Sequence, residues 1–429
     1  MSHADTAEIT ARTPESFLSS GHLPTLIACL LYFDVSFMVW VLLGPLAPFL
    51  SEDLKLTAAQ KGLVVAVPLL GGALFRPIMG VLGDLLGGRR AGMLGLGLTL
   101  LPLLLGWRFA RHLYDFYGVG ILLGIAGASF AVALPLAGSW YPPERQGLAM
   151  GIAGAGNSGT LLATLFAPRL AQGLGWPRTF AVAMLPVFAV LVLFGLMAKN
   201  NPLPAAAKPS WRDYAAVMRE PDTGWFCFFY SFTFGGFVGL ASFLSIFFHD
   251  QYLLPKVKAG DFTTIVVVAG SFLRPVGGWL ADKIGGYRLL LMLLSGAACC
   301  LAGVGTLPSL AVVVILLFLT MAMLGMGNGA VFQLVPQRFS QRVGVLTGLV
   351  GAAGGLGGFF VPSILGAVKD RTGQYGPGLF LFAAAFLVAA FALLQLGSLW
   401  RTRWSSPSVE RAGIFCYRSF ARTLASSEN

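Results

Sequence analysis

The sequence predicts an all-α membrane protein, with twelve transmembrane helices in two six-helix bundles related by a pseudo-two-fold axis along the membrane normal. Three observations carry this. Hydrophobic residues make up 56% of 429 positions and charged residues 11%, with a mean hydropathy of +0.77. A water-soluble chain cannot hide that much apolar surface, whereas a bilayer solvates it. Twelve apolar runs of about 20 residues follow one another along the chain. A fifteen-residue segment also recurs at an offset of 198 residues, so the second half repeats the first.

The elements follow in order. Residues 1–22 are polar and read as a cytoplasmic tail without a cleavable signal, so the first apolar run is expected to direct insertion. The first six spans are read at about 23–49, 60–82, 91–107, 114–138, 147–171 and 178–198, within a bundle covering 23–198. Residues 199–222 form the longest polar stretch, with Pro202, Pro204, Lys208, Pro209, Arg212 and Arg219. This is a cytoplasmic linker, with a short amphipathic helix expected from Trp211 to Met218. The second bundle covers 223–400, with spans at about 223–247, 262–281, 289–307, 311–335, 344–368 and 377–400. The rest, 401–429, is a basic cytoplasmic tail whose Phe415, Tyr417 and Phe420 suit either an anionic lipid surface or disorder.

Charge sets the orientation. With both ends cytoplasmic, seventeen of the 29 lysines and arginines fall inside, ten fall outside, and two, Arg76 and Arg274, lie within spans. The net charge of +11 is therefore dispersed over short loops as a topology signal, and a nucleic-acid partner is not expected. The five cysteines and four histidines show no metal-ligand or redox spacing, so neither a metal nor a cofactor is expected. No paired catalytic carboxylates or nucleophile–histidine arrangement appears in the spans, which argues against an enzyme.

The repeat pairs Arg76-Pro-Ile-Met-Gly-Val-Leu-Gly-Asp84-Leu-Leu-Gly-Gly-Arg-Arg90 with Arg274-Pro-Val-Gly-Gly-Trp-Leu-Ala-Asp282-Lys-Ile-Gly-Gly-Tyr-Arg288. Eight of the fifteen positions are identical. Parallel repeats of this kind place a substrate site near the midplane, where the bundles meet. Asp84, Arg90, Asp282 and Arg288 stand at the cytoplasmic ends of spans 2 and 8. They read either as a latch that holds an inward gate shut or as tight turns anchored to headgroups.

Each repeat arginine precedes its aspartate by eight residues, which puts it about 12 Å inside the loop, at hydrocarbon depth. Arginine there is costly and either faces a cavity or partner or snorkels to the surface. Only Asp34 lies well within a span, and one acid cannot neutralise two arginines. An anion would supply the missing charge. Two planar, permanently charged forks, one from each bundle, suit the edges of a small planar oxyanion.

Other residues are open to two readings each. In span 5, Gly154-Ala-Gly156-Asn157-Ser-Gly159 is dense in glycine, and span 11 repeats the density at Gly354, Gly355, Gly357 and Gly358. These glycines permit either static close packing or sliding of helices. Asn157 can bond a ligand or a neighbouring helix. Tyr230 and Phe234 share one face of span 7 and are either ligand and wall or plain packing. Phe130 in span 4 is equally open, and span 10 carries Gly327-Asn328-Gly329.

Taken together, these segments resemble the nitrate/nitrite porter family of the major facilitator superfamily across essentially all twelve spans. The resemblance is carried by Tyr-Phe-Asp-Val-Ser-Phe-Met-Val-Trp (32–40), Gly-Ile-Ala-Gly-Ala-Gly-Asn-Ser-Gly-Thr (151–160), the stretch from Gly327 to Phe339, and Gly-Ala-Ala-Gly-Gly-Leu-Gly-Gly-Phe (351–359). It implies that Arg76 and Arg274 bind the substrate. Asn157 would be the span 5 signature asparagine, Tyr230 and Phe234 the span 7 aromatics, and Phe130 the span 4 wall. It also implies rocker-switch alternating access in which the signature glycines slide. Such proteins are either nitrate/proton symporters or nitrate/nitrite exchangers. The span 1 text looks like the symporter branch, which makes Asp34 the proton-coupling candidate, although it could instead be a structural partner for Arg76 or for a span 4 group. The expected protein is a monomer in a bacterial-type cytoplasmic membrane, with transport of another organic or small anion as the alternative.

Overall fold

A computed structural model describes residues 17, 20–202, 211–339 and 343–414. Most of the N-terminal tail, Lys208 and its neighbours in the linker, and Phe415, Tyr417 and Phe420 of the C-terminal tail lie outside these. Apolar composition makes the described chain almost wholly helical, because in hydrocarbon each backbone amide must find its partner within its own segment.

Among the described residues there are twelve spans, eleven of them helices long and apolar enough to cross a membrane and the other, span 5, interrupted. Span 1 is Leu23–Leu54, span 2 Ala58–Leu86, span 3 Gly88–Arg108, span 4 Leu113–Gly138 and span 6 Trp176–Met197. Spans 7 to 10 are Pro221–Tyr252, Lys256–Ile284, Gly286–Gly305 and Leu310–Arg338. Span 11 is Val343–Thr372 and span 12 is Gly376–Arg403. Span 5 is not one continuous helix. It runs as Pro143–Gly154, a 3-10 turn at Ala155–Ser158, and Gly159–Leu174. The linker contains the expected short helix, Trp211–Arg219.

The ends of the spans have local causes. Thr57 and Gln60 form a reciprocal capping box that starts span 2. Gly87 and Gly285, both at positive φ, turn the chain between spans 2 and 3 and between spans 8 and 9. Their equivalence reflects the internal repeat.

Interruptions inside the spans matter more. Span 1 breaks after Trp40, span 4 after Gly127, span 5 at Ala155–Ser158, and span 8 at Leu273, immediately before Arg274. The last break has a sequence cause: Pro275 has no amide hydrogen and sits in the first turn of the helix that Arg274 begins. Irregular backbone at membrane depth is tolerated only where protein surrounds it or where it lines a cavity. Each of these four breaks adjoins or contains a residue of the site described below.

On the linker side, one buried carboxylate organises the second half. Asp222, at the start of span 7, accepts from Trp400 Nε1 at 2.8 Å, Trp404 Nε1 at 3.1 Å and Arg338 Nε at 2.6 Å. It thereby ties spans 7, 10 and 12 together. Asp222→Ala would leave two indole donors and Arg338 Nε without their acceptor, with Arg338 Nη2 still paired to Glu220 at 3.3 Å. It is expected to cost about 3 kcal/mol, the usual range for breaking a buried pair, and to lower the melting temperature in detergent by several degrees. An unchanged melting temperature would refute this anchoring role.

Candidate anion-binding site

Arg76 is 2% exposed, so it does not snorkel to the surface. Its guanidinium is held by two backbone carbonyls. Nε donates to the Gly127 carbonyl at 3.0 Å, and Nη1 donates to the Gly351 carbonyl of span 11. The Gly127 carbonyl is available because span 4 breaks there: the Ala131 amide bonds Ala128 instead. Around the charge stand the rings of Phe234 at 5.0 Å, Trp40 at 5.1 Å and Phe130 at 5.4 Å, all within cation–π range. Trp40 is fixed by its own bond to the Pro68 carbonyl at 2.6 Å.

Arg274 approaches from the other half. Its guanidinium lies 5.8 Å from the Phe130 ring and 5.4 Å from that of Phe332. Phe130 therefore touches both arginines and is a shared wall. Tyr230 and Phe234 stack nearly parallel at 5.2 Å, and Tyr230 meets Phe332 edge-on at 5.0 Å. Spans 1, 2, 4, 7, 8 and 10 thus contribute to one aromatic cluster around the two arginines.

The charge balance is one-sided. Among the described residues, no ion pair neutralises either arginine. Several buried atoms of this cluster have no hydrogen-bond partner: Arg76 Nη2, Arg274 Nη1 and the Tyr230 hydroxyl; both amide atoms of Asn157, in the 3-10 turn of span 5, are likewise buried and unpartnered. Desolvated donors without acceptors are expensive. Two guanidinium N–H groups and a hydroxyl are donors suited to a small oxyanion.

Asp34 is not Arg76's partner here. It accepts a 2.6 Å hydrogen bond from Ser158, the residue beside Asn157, which links span 1 to the 3-10 turn of span 5. The glycines explain how those helices meet. A Cβ on Gly159 would lie 1.8 Å from the Asp34 carbonyl oxygen, and one on Gly156 would lie 2.7 Å from the Asp34 amide nitrogen. In the other half, a Cβ on Gly357 would lie 2.5 Å from the Ser231 carbonyl of span 7. Gly354 and Gly358 also face span 7, at Tyr230 and Val238, whereas Gly355 faces Ala73 of span 2 in the first half. Gly154 has more room, its nearest neighbour being Leu134 at 4.0 Å. Span 5 against span 1 and span 11 against span 7 are therefore the same close contact, made twice.

The side opposite the linker, called the far side here, is fastened across the halves. Lys61 pairs with Asp250, Lys256 with Glu52, and Arg169 with Asp261 at 2.7 Å. The Asp370 carboxylate accepts from the Ala58 and Ala59 amides at 2.8 and 2.9 Å, capping span 2 from span 11. On the linker side, Asp84, Arg90, Asp282 and Arg288 are all exposed.

Sequence reasoning missed Trp40, Phe332, Ser158 and the carbonyls of Gly127 and Gly351. Trp40 and Phe332 lie within segments that carried the resemblance, but nothing in their spacing marks them. The two carbonyls could not have been read from sequence, because they face Arg76 only through a helix break and a contact between the halves.

A family model described as Major Facilitator Superfamily matches residues 28–362. The "Nitrite extrusion protein" of Bacillus subtilis (strain 168) is 36% identical over 374 residues, 86% of this chain and 92% of that protein. The "Probable nitrate/nitrite transporter NarK2" of Mycobacterium tuberculosis (strain ATCC 25618 / H37Rv) is also 36% identical, over 83% of this chain and 91% of its own length. The "Probable nitrate/nitrite antiporter NarK1" of Thermus thermophilus is 30% identical over 85% of this chain and 89% of its own. Among solved structures, a D-xylose-proton symporter superposes with a TM-score of 0.71, covering 87% of this chain and 96% of that chain at 16% identity, a likeness of fold alone. Fold, motifs and relatives agree: the chain is a multi-pass membrane protein belonging to the nitrate/nitrite porter family of the major facilitator superfamily.

Proposed function

We propose that this protein carries nitrate, and nitrite as a second substrate, across a bacterial cytoplasmic membrane by rocker-switch alternating access coupled to protons. The observation that carries the substrate class is the unneutralised pair Arg76 and Arg274 against the shared ring of Phe130. A planar anion between two planar forks satisfies charge and donor geometry together, and the aromatic walls leave little room for a bulky organic acid. Asn157 and Tyr230 complete the donor set, while Phe130 and Phe234 wall the site. The names of the relatives support the same substrates.

The division into bundles at 23–198 and 223–400 makes each arginine the contribution of one moving body. Lysine and arginine placement supports a cytoplasmic linker and cytoplasmic ends. The fastened far side is then the extracellular gate in its closed state, with Asp84, Arg90, Asp282 and Arg288 forming the latch that engages when the inner gate shuts. No contact described above requires a second copy, so the monomer is taken as the working unit.

Proton coupling is assigned to Asp34. A carboxylate that accepts from Ser158 joins span 1 to the signature turn of span 5, and protonation weakens that charge-assisted bond where the helices must move. The test is labelled nitrate uptake into proteoliposomes, with either an imposed pH gradient or internal nitrite. Acid outside is expected to accelerate uptake, and Asp34→Asn is expected to remove that acceleration. Uptake that ignores the gradient and requires internal nitrite would overturn symport and leave exchange, the activity named for the Thermus relative.

A further inference from the structure

We propose that the groove between spans 3 and 6, with Arg108 and Arg178 at its mouth, binds one anionic glycerophospholipid from the leaflet on the far side, the outer leaflet in the orientation taken above.

Two close contacts set the register of the spans that form it. A Cβ on Gly92 would lie 2.6 Å from the Phe194 ring, and one on Gly106 would lie 2.6 Å from that of Phe180. The contacts are fourteen residues apart on both antiparallel helices, so the two run in step. Arg108, two residues past Gly106, therefore stands level with Arg178, two residues before Phe180.

The faces agree as well. Leu101 and Leu104 of span 3 and Ala181, Leu185 and Phe188 of span 6 line a groove of about 390 Å³. Arg108 follows Leu104 by four positions and Leu101 by seven, and Arg178 precedes Ala181 by three and Leu185 by seven. Helical periodicity thus puts each arginine on the face of its span that lines the groove. From Arg178 to Phe188 the helix rises about 15 Å, the hydrocarbon depth of one leaflet.

The mouth is positively charged and uncompensated. Both arginines are exposed, and among the described residues neither enters an ion pair. Two acids of this side are engaged elsewhere. Asp53 accepts from Trp176 Nε1 at 2.6 Å, and Asp115 accepts from the Arg111 and His112 amides at 2.8 Å each. The Arg108 guanidinium lies 5.4 Å from the ring of Trp107, a residue type that marks the headgroup level. The internal repeat supplies a comparison. At the same offset of 198, Thr306 and Gly376 stand in place of the two arginines, so the charge belongs to this groove and not to the fold.

That charge decides selectivity. An acyl chain gains little by leaving the bilayer for an apolar groove, because lipid tails are as apolar as leucine. The groove supplies the fit, and two guanidinium forks at the headgroup level give a phosphate charge-assisted bonds, as basic pockets between membrane helices do. Phosphatidylethanolamine would bring its own ammonium into the cluster, whereas phosphatidylglycerol would not.

The test is native mass spectrometry of the full-length protein in detergent with either lipid added, which reads binding independently of orientation and substrate. Wild type is expected to retain one phosphatidylglycerol in preference to phosphatidylethanolamine. The double variant Arg108→Gln/Arg178→Gln is expected to bind phosphatidylglycerol about thirtyfold more weakly, about fivefold for each charge removed. Ala181→Trp fills the groove while keeping both charges, and it is also expected to lose the lipid. Lys258→Gln removes an exposed charge from the same side of the second half and should bind as wild type does. Equal retention of the two lipids by wild type overturns the site, as does wild-type binding by either groove variant or an equal loss in Lys258→Gln. The nitrate Kd of the double variant is expected to match wild type; weaker nitrate binding with lipid retention intact would make the arginines a lure for substrate and overturn the lipid site.

Discussion

Replacing Arg76 by lysine is expected to weaken nitrate binding about a hundredfold, equivalent to about 2.7 kcal/mol, and Arg274→Lys is expected to do the same. The reason lies in how the guanidinium is used. Arg76 spends Nε on the Gly127 carbonyl and Nη1 on the Gly351 carbonyl, which leaves Nη2 for the ligand. Gly127 belongs to the first half and Gly351 to the second, so this side chain also bridges the two halves. An ammonium has three donors around one point and cannot span two fixed carbonyls while presenting a third bond in the same plane. It also forfeits planar stacking among Trp40, Phe130 and Phe234. Titration calorimetry with nitrate measures the loss directly. A Kd within threefold of wild type for either variant would refute the paired-fork site.

Gly159→Ala is expected to abolish transport, with flux falling at least about a hundredfold and stability by about 1–3 kcal/mol, the range for forced overpacking. The added methyl would lie 1.8 Å from the Asp34 carbonyl oxygen and 2.8 Å from the Met38 amide nitrogen. Both are backbone atoms of span 1, so relief requires the helices to part. Parting them also breaks the Ser158–Asp34 bond and shifts Asn157, so the signature turn loses its register. The control lies in the same span. Gly173 has nothing within 4 Å of an added Cβ, so Gly173→Ala should transport like wild type. Equal activity of the two alanine variants in a counterflow assay would show that close approach of spans 1 and 5 is dispensable.

Much of this protein is legible without coordinates, and the reasons are physical. A bilayer admits only helices of a set length, so composition and run length suffice to count twelve spans. Duplication leaves a constant offset, so Arg76 and Arg274 identify each other as equivalents. The cost of a buried charge then marks both as candidate ligands, since the one acid well within a span cannot neutralise two.

Other features depend on atoms that come together only when the helices pack. Asp34 stood between two partners in the sequence, and packing gives it Ser158. Phe130 was an ambiguous aromatic until both guanidinium groups were found at its ring. Trp40, Phe332 and the carbonyls of Gly127 and Gly351 acquire their place from helix breaks and from contacts between segments as many as 275 residues apart. Periodicity along one helix cannot encode such contacts. Sequence alone determined the membrane class, the repeat and the identity of the charged pair, because solvation and duplication act on the chain locally. Tertiary structure decided what surrounds that pair, because a hydrogen bond or a ring contact is set by distance in space between spans that the order of residues leaves open.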